Sequence, residues 1–173
     1  MTTILPWAVS VIETTPERWL RLAQSIPEEL LRLPPAPGEW APVECLHHLV
    51  ASEKVLAFRL QAFLSGQPSF PDFDADAPEN RLDPRASPLE LAHEFAQLRP
   101  ASLKWLRGLA GPDLIRAARH ALLGPVSLDQ MVHEWAAHDL NHTIQAERAL
   151  MQPFIAGSGP WSRYFSEHRV KCS

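Results

Sequence analysis

The sequence predicts an all-α protein whose four main helices form a four-helix bundle. Apolar residues recur at three- and four-residue steps in four long segments, which is the spacing of one helix face. No segment alternates apolar and polar residues over strand length, and no internal repeat is present. The chain holds 17 prolines and only 7 glycines, and most prolines fall at the boundaries of the periodic segments. Periodicity and boundary signals together therefore indicate a helical bundle.

The first helix is predicted to begin at residues 15–17, where Thr-Pro-Glu supplies an N-cap, a first-turn proline and a favourable acidic residue. Its apolar pattern ends near Ser25, and a short helical turn is expected over residues 28–33. The second helix is predicted over residues 42–64, because its apolar residues keep helical spacing until Ser-Gly at 65–66.

The third helix is predicted to begin at residues 87–90, where Ser-Pro-Leu-Glu combines a capping box with proline at the first helical position. It is expected to reach about Leu109, with a kink at Pro100. A weak segment over residues 113–122 then leads to Ser127, which is a second candidate N-cap.

The fourth helix is predicted over residues 128–151, with Pro153 beyond its end. A short C-terminal extension is expected over residues 159–165. Residues 67–86 are rich in proline and aspartate, which indicates a long connection between the second and third helices, and long loops are often functional. With 46% hydrophobic and 21% charged residues, the chain has the composition of one globular domain spanning residues 1–173.

Charge and hydropathy exclude several classes of partner. The formal net charge is -4 and no basic run or stripe is present, so the chain lacks the positive surface that a nucleic-acid backbone requires. No apolar run is long enough to span a bilayer and no secretory signal pattern is found, so we expect a cytoplasmic protein without a membrane partner. Cys45 and Cys172 form no Cys-x-x-Cys pair, which argues against a disulfide scaffold or a thiolate zinc site.

The candidate chemistry begins with His138 and His142 on the fourth predicted helix. Residues four apart on a helix differ by only about 40° around its axis, so both imidazoles can point at one spot. A helix offers two nitrogen ligands to one metal ion in this way. Such pairs also occur in ordinary packing and on surfaces, so the metal interpretation requires a third ligand.

Helical geometry sorts several of the eight histidines. His133 falls on the side of its helix opposite His138 and is expected on the surface. On the second helix His47 lies on a mostly polar flank, whereas His48 borders small and apolar positions and has Ser52 one turn beyond it. This geometry favours His48 over His47 as the third ligand.

Three neutral imidazoles leave at least one coordination position open, which distinguishes catalytic metal sites from structural ones. Nitrogen ligands suit zinc, nickel, copper or iron, and the sequence does not choose among them. The alternative is that His48 is a hydrogen-bonded core histidine and that Met131 and Trp135 are plain core residues.

The motifs that carry these histidines resemble those of a known family. The second helix reads Trp-Ala-Pro-Val-Glu-Cys-Leu-His-His-Leu-Val-Ala-Ser-Glu over residues 40–53, and the fourth carries His138, His142 and Gln145. In this order and separation they resemble the DinB/YfiT-like superfamily, with Trp-Ser-x-x-Glu-x-Leu-x-His-Leu-x-x-x-Glu and His-x-x-x-His-x-x-Gln motifs. The resemblance covers nearly the whole chain, and its register also selects His48. Ala41 departs from the usual Ser or Thr at that position.

The resemblance implies a metal-dependent four-helix bundle with a long crossover between helices two and three. It implies that His48, His138 and His142 bind a divalent metal, whether zinc, nickel, iron or manganese. Gln145 is then expected to hydrogen-bond a ligand imidazole or a bound water, or else to be a plain polar residue at the bundle edge. Glu134 and Glu53 are candidate carboxylates around the ligands; for Glu53 the sequence favours a solvated charge.

The resemblance also implies an activity, for which three alternatives stay open. The leading one is a thiol-dependent transferase or isomerase, in which the metal activates a low-molecular-weight thiol such as bacillithiol or mycothiol. A metal-dependent hydrolase would activate water at the same site. The third is a non-enzymatic binding or stress-response protein. A small-molecule substrate is the expected partner, and a homodimer is an open alternative to a monomer.

Overall fold

A computed structural model describes residues 4–75 and 77–170 and confirms the four-helix bundle that the sequence predicts. The long helices of the bundle are α1 (Leu5–Ser25), α3 (Pro42–Leu64), α4 (Pro88–Arg107) and α6 (Leu128–Gly157). Two short helices, α2 (Glu28–Leu31) and α5 (Gly111–Leu114), lie in the connections, and a 3₁₀ segment over Gly159–His168 forms the C-terminal extension. Cys172, expected in the tail, lies outside the described residues.

The four long helices are arranged so that α1 and α3 lie diagonally opposite each other. Helix α1 packs against α4 and α6, and α3 packs against the same two helices. The first two long helices in the sequence, α1 and α3, therefore do not pack mainly against each other. This arrangement brings α3, which carries His48, against α6, which carries His138 and His142.

Helix α1 begins ten residues earlier than the sequence prediction placed it, so the start predicted at Thr15 was wrong. The helix starts at Leu5 and contains Pro16 in its interior. Ile12 and Trp19 are both buried on its inner face, before and after the proline. The free energy gained by packing this continuous apolar face outweighs the one backbone hydrogen bond that proline cannot donate. Capping residues alone do not reveal this tertiary packing.

Helix α6 likewise extends past its predicted end at Met151 and reaches Gly157, with Pro153 inside it. Ile155 in the added turn is buried, and the C-terminal 3₁₀ segment packs against the helix. The side chain of Gln152 donates to the backbone carbonyl of His168 at 3.0 Å, which ties the two segments together. Tertiary contacts therefore carry the helix across a proline that in isolation indicates a stop.

The predicted helix starts at residues 42, 88 and 128 are confirmed. Ser127 Oγ accepts a hydrogen bond from Gln130 N at 3.2 Å while Gln130 Oε1 accepts from Ser127 N at 2.8 Å, which completes a capping box. Ser87 also caps α4, because its Oγ accepts a hydrogen bond from Glu90 N at 3.4 Å. Ala41 has no side chain for capping, and Glu44 Oε2 instead accepts a hydrogen bond from Ala41 N at 2.7 Å.

A small three-stranded sheet is present, so the expectation that the chain has no strands was wrong. The sheet comprises β1 (Ser69–Phe70), β2 (Ala117–His120) and β3 (Gly124–Ser127), with β1 parallel to β2 and β2 antiparallel to β3. Strands of two to four residues are too short to show a clear alternation in sequence. Gly124, at φ 82°, closes the β2–β3 hairpin in a conformation that favours glycine.

The buried apolar side chains form two clusters. One contains Phe63 and Trp135, and the other contains Trp19, Leu46 and Phe95. In the described part of the chain, no helix is long and apolar enough to cross a membrane.

Candidate metal centre

The structure brings together the three histidines that the sequence predicts as metal ligands. His48 projects from α3, and His138 and His142 project from successive turns of α6. One ring nitrogen of each histidine lies within 4.8 Å of those of the other two. The closest pair is His48 Nε2 and His138 Nε2, which are 3.0 Å apart. All three side chains are half-buried, so the cluster lies below the surface but within reach of solvent.

The two histidines that the sequence argument set aside lie elsewhere. His133 is 48% exposed at its side chain, and its Nε2 lies 3.7 Å from the carboxylate of Asp129, as expected for a surface residue. His47 lines a cavity next to His48 but is not part of the cluster. The helical count therefore chose correctly which histidine of the His47–His48 pair faces α6.

The spacing of the nitrogens suits a single bound cation. Two nitrogens at about 2.1 Å from one tetrahedral ion lie about 3.4 Å apart. The nitrogens of the cluster all lie within 4.8 Å of one another and the closest pair is 3.0 Å apart, so the separation expected for a shared ion falls within this range. Without an ion, the contact between His48 Nε2 and His138 Nε2 holds at most one hydrogen bond. A cation would instead accept the lone pairs of all three rings.

The electrostatic environment keeps these imidazoles neutral. Burial, followed by the proximity of His142 and His47, lowers the pKa of His48 to about 4. Burial, followed by the proximity of His142 and His48, lowers the pKa of His138 to about 3, and burial also lowers the pKa of His142. Neutral imidazoles have free lone pairs at neutral pH, so a metal ion would not have to displace protons from the rings.

Gln145 contacts the imidazole of His142, which is one of the arrangements that the sequence predicts for it. His142 Nδ1 and Gln145 Oε1 are 2.9 Å apart, and an amide oxygen accepts, so the proton is assigned to Nδ1. This tautomer leaves the lone pair of His142 on Nε2. Trp40 stacks on the His142 ring, with centroids 5.8 Å apart, and fixes its plane from the other side. The role of Gln145 around a bound metal stays a prediction.

Replacing Gln145 by leucine should weaken metal binding because the amide no longer fixes the His142 tautomer and ring orientation. We expect the Kd for zinc to rise by about 10- to 100-fold, as is typical when such an outer partner is lost. Competition with a chromophoric chelator measures the affinity. The matched control is Gln97→Leu, because Gln97 is exposed on α4. Equal zinc affinities of the Gln145→Leu and Gln97→Leu variants would refute the orienting role.

The other two histidines have different surroundings. Ser52 Oγ lies 3.3 Å from His48 Nε2, one helical turn along α3. Nδ1 of His138 is buried and has no hydrogen-bond partner among the described residues. Gln145 on His142 is therefore the clearest outer contact that orients a ring of the cluster.

Two cavities border the cluster. The smaller, of about 210 Å³, is lined by His48 and His138 together with Arg59, Asp72 and Glu134. The larger, of about 720 Å³, reaches His48 from its other side and is lined by Trp40, Phe73 and Arg81 among others. The smaller cavity touches two of the three histidines, so it is the side on which an open coordination position would face a substrate.

Glu134 lies one turn before His138 on α6, as the sequence prediction required, and lines the smaller cavity. Its side chain is exposed, and its placement suits a carboxylate near the open side of the cluster. Whether Glu134 acts on a bound metal or its water stays a prediction.

The prediction that Glu53 is a solvated charge was wrong. Glu53 is 1% exposed, and its Oε2 lies 3.1 Å from Arg99 Nη2. Arg99 Nη1 also lies 2.9 Å from Asp139 Oδ2, and Ser102 Oγ donates to Glu53 Oε1 at 2.6 Å. Burial outweighs the arginine and raises the pKa of both Glu53 and Asp139. The Glu53–Arg99–Asp139 triad thus joins α3, α4 and α6 in the core, and Asp139 directly follows His138.

Arg99 is a residue that the sequence reasoning missed. It lies four residues after Phe95 and four before Leu103, both of which are buried on the inner face of α4. The helical spacing therefore marked Arg99 as a core residue, and a buried arginine requires carboxylate partners. The partners lie on other helices, so the sequence alone did not identify them.

Cys45 is not a nucleophile of this site. It is fully buried, and burial raises the pKa of its thiol to about 12, so it carries no thiolate at neutral pH. This agrees with the prediction that Cys45 is a small core residue.

Comparisons with known proteins agree with the fold and the histidine pattern. A family model for the DinB superfamily matches residues 12–146. The solved structure of YfiT from Bacillus subtilis superimposes with a TM-score of 0.75 at 18% sequence identity, over 89% of each chain. YfiT is described as a probable metal-dependent hydrolase with an unusual four-helix bundle topology. At this identity the likeness shows a shared fold. No protein with curated annotation matches the sequence significantly.

Proposed function

Because the chain belongs to the DinB superfamily, we propose that it is an enzyme that binds a divalent metal ion through His48, His138 and His142. The observation that carries this proposal is the convergence of three neutral imidazole nitrogens within 4.8 Å of one another. Three protein ligands would leave a coordination position open on the side of the smaller cavity.

The donor set fits a nitrogen-preferring ion such as zinc, nickel or iron, while manganese prefers oxygen ligands. Such an ion polarises a bound group and lowers the pKa of a bound water or thiol towards neutrality. The chain's own residues would hold and orient the group. Gln145 keeps the His142 lone pair on Nε2, and Trp40 stacks on that ring.

Carboxylates near the open side provide for proton transfer. Glu134 and Asp72 line the smaller cavity together with His48 and His138. A carboxylate within reach of a bound nucleophile can accept the proton that the nucleophile loses. Arg59 lies 4.0 Å from Asp72 Oδ1 and keeps a positive charge beside that carboxylate. The charge of Arg59 acts on both carboxylates, but Asp72 also lies 3.4 Å from His120. We therefore assign proton acceptance to Glu134, which lies one turn before His138 on α6.

The nucleophile we propose is a low-molecular-weight thiol, such as bacillithiol or mycothiol. Cys45 is the one cysteine in the described part of the chain, and its buried thiol with a pKa of about 12 cannot supply a thiolate. A thiol-dependent transferase or isomerase of this design would therefore take its sulfur from solution. A soluble thiol also suits the cytoplasmic location that the sequence predicts.

Water is the second candidate nucleophile. The same open position would serve a metal-dependent hydrolase, and the description of YfiT as a probable hydrolase favours this alternative. The two activities share the ligand set and differ in whether a thiol must be added.

One assay separates the alternatives. Protein loaded with zinc, nickel or iron is offered a panel of electrophiles with bacillithiol, mycothiol or glutathione, and a panel of esters and amides without thiol. We expect turnover that requires both the metal and His142, and that His133→Ala leaves unchanged. Metal binding without turnover in either panel, with His48→Ala lowering only stability, would assign the histidines a structural role.

A further inference from the structure

A second cavity adjoins the metal-facing one and has a different character. It has a volume of about 320 Å³, and its apolar wall is formed by Phe70, Leu122, Leu123, Val126 and Met131. This volume falls within the range of small-molecule binding sites, which are typically apolar with a few polar groups. It lies under the β2–β3 hairpin, next to the N-terminal end of α6.

The hairpin holds two leucines at the mouth of this apolar cavity. Leu122 and Leu123 are 74% and 70% exposed, although turns favour small polar residues. His120 is buried, and its Nδ1 accepts hydrogen bonds from the backbone N–H groups of both leucines, at 3.1 and 3.3 Å. Phe70 packs edge-on against the His120 ring. A buried histidine thus fixes a turn whose exposed side chains contribute nothing to the core, which indicates a role in contacting something else.

The two cavities share a polar wall. Arg59, Asp72 and Glu134 line both of them, so the apolar cavity directly adjoins the one that is lined by His48 and His138. Nε of Arg59 is buried and has no hydrogen-bond partner among the described residues. An unpaired buried donor is costly. A ligand that lies along these shared residues can supply the acceptor.

We infer that the substrate is an amphiphilic small molecule that spans both cavities. Its metal-binding head would lie beside His48 and His138, a polar acceptor such as an amide or ester carbonyl would meet Arg59, and an apolar tail would fill the cavity under the hairpin. This inference rests on the proposed function for the head and on the β2–β3 hairpin for the tail.

The tail site can be tested without any metal. Of the chain's 3 methionines, Met131 lines the apolar cavity, and Met151 lies near the other end of the same long helix, outside that cavity. In metal-free protein with ¹³C-methyl methionine, 1-hexanol should shift the Met131 methyl resonance in a saturable way and leave Met151 unmoved. An unmoved Met131 resonance, or equal shifts of both, would overturn the tail site.

Binding across both cavities is tested with a series of hydroxamates. Their heads bind metal ions, and their alkyl tails vary in length. We expect the zinc-loaded protein to bind octanohydroxamate at least about 10-fold more tightly than acetohydroxamate, because the added methylenes leave water. If zinc itself does not bind, the proposed function fails. If zinc binds but tail length has no effect on affinity, the proposed function stands and the amphiphilic substrate is refuted.

Two variants test whether the hairpin causes the tighter binding of the long-tailed hydroxamate. The double substitution Leu122→Ser and Leu123→Ser should reduce the octanohydroxamate preference several-fold and leave acetohydroxamate affinity unchanged. Both leucines line the apolar cavity and neither lines the one with His48 and His138. Phe154→Ser, at a side chain 67% exposed on α6, is the matched control and should keep the full preference. Equal preferences in the two variants would exclude the hairpin as the tail site.

Discussion

Replacing His138 by alanine should abolish specific metal binding, with the Kd for zinc rising by more than about 100-fold. Removal of a direct ligand costs more than loss of an outer hydrogen bond, which alone costs about 10- to 100-fold. His138 contacts both other histidines, since its Nε2 lies 3.0 Å from that of His48 and its ring packs against that of His142. Chelator competition measures the Kd, and circular dichroism verifies that the variant stays helical.

The control for this variant is His133→Ala. His133 lies on the same helix, is exposed at its side chain, and points away from the cluster. It should keep the zinc affinity and stoichiometry of the unmodified protein. If His138→Ala binds zinc as tightly as His133→Ala, the metal must bind elsewhere and the proposed ligand set is wrong.

Replacing Arg99 by methionine should lower the free energy of unfolding by about 3–5 kcal/mol. The substitution leaves the carboxylates of Glu53 and Asp139 buried without their cation, and an uncompensated buried charge carries a cost of this size. Urea denaturation at pH 7.5 measures the change. The control is Arg107→Met, which removes an exposed ion pair with Glu13 and should cost no more than about 1 kcal/mol.

The same variant should show a distinctive pH dependence. Burial already raises the pKa of Glu53 and Asp139 in the folded protein, and loss of Arg99 raises both further. A carboxyl whose pKa is higher in the folded state than its unfolded value of about 4 loses stability as pH rises from that value. The deficit of Arg99→Met should therefore be smaller at pH 5 than at pH 7.5. A deficit that is the same at both pH values would contradict the triad as its cause.

A triple variant separates two effects on the free energy of unfolding. One is the cost of an unpaired buried charge, and the other is the net contribution of the intact triad. Glu53→Leu, Arg99→Met and Asp139→Leu together remove all three charges from the core. Buried ionic groups are often replaced by apolar residues without loss of stability. The triple variant should therefore be more stable than Arg99→Met alone. If it is less stable, the triad contributes a net favourable interaction.

The sequence was sufficient to predict the helix pattern and which three histidines lie together, because both depend on local periodicity. The choice of His48 over His47 needed only the angle between neighbouring residues on one helix and the polarity of each flank. The starts of α4 and α6 were predicted because Ser87 and Ser127 act through hydrogen bonds to residues three positions away.

The errors in the helix bounds and in the placement of Glu53 have one physical origin, which is that tertiary contacts override local signals. Pro16 and Pro153 were interpreted as boundaries, yet burial of Ile12 and Ile155 carries the helices past them. Glu53 was assigned to solvent because its partner Arg99 is 46 positions away in sequence and lies on another helix. The polar triad and the two cavities depend on how helices pack, which a single sequence does not specify.

The most direct test of the central claim is the metal content of protein purified without a histidine tag. After equilibrium dialysis against zinc or nickel and removal of free ion, elemental mass spectrometry should find about one ion per chain, with three protein ligands. The variant with His48, His138 and His142 all replaced by alanine should hold less than about a tenth of that amount. Sub-stoichiometric metal in the unmodified protein, or equal metal in both proteins, would contradict a three-histidine metal centre.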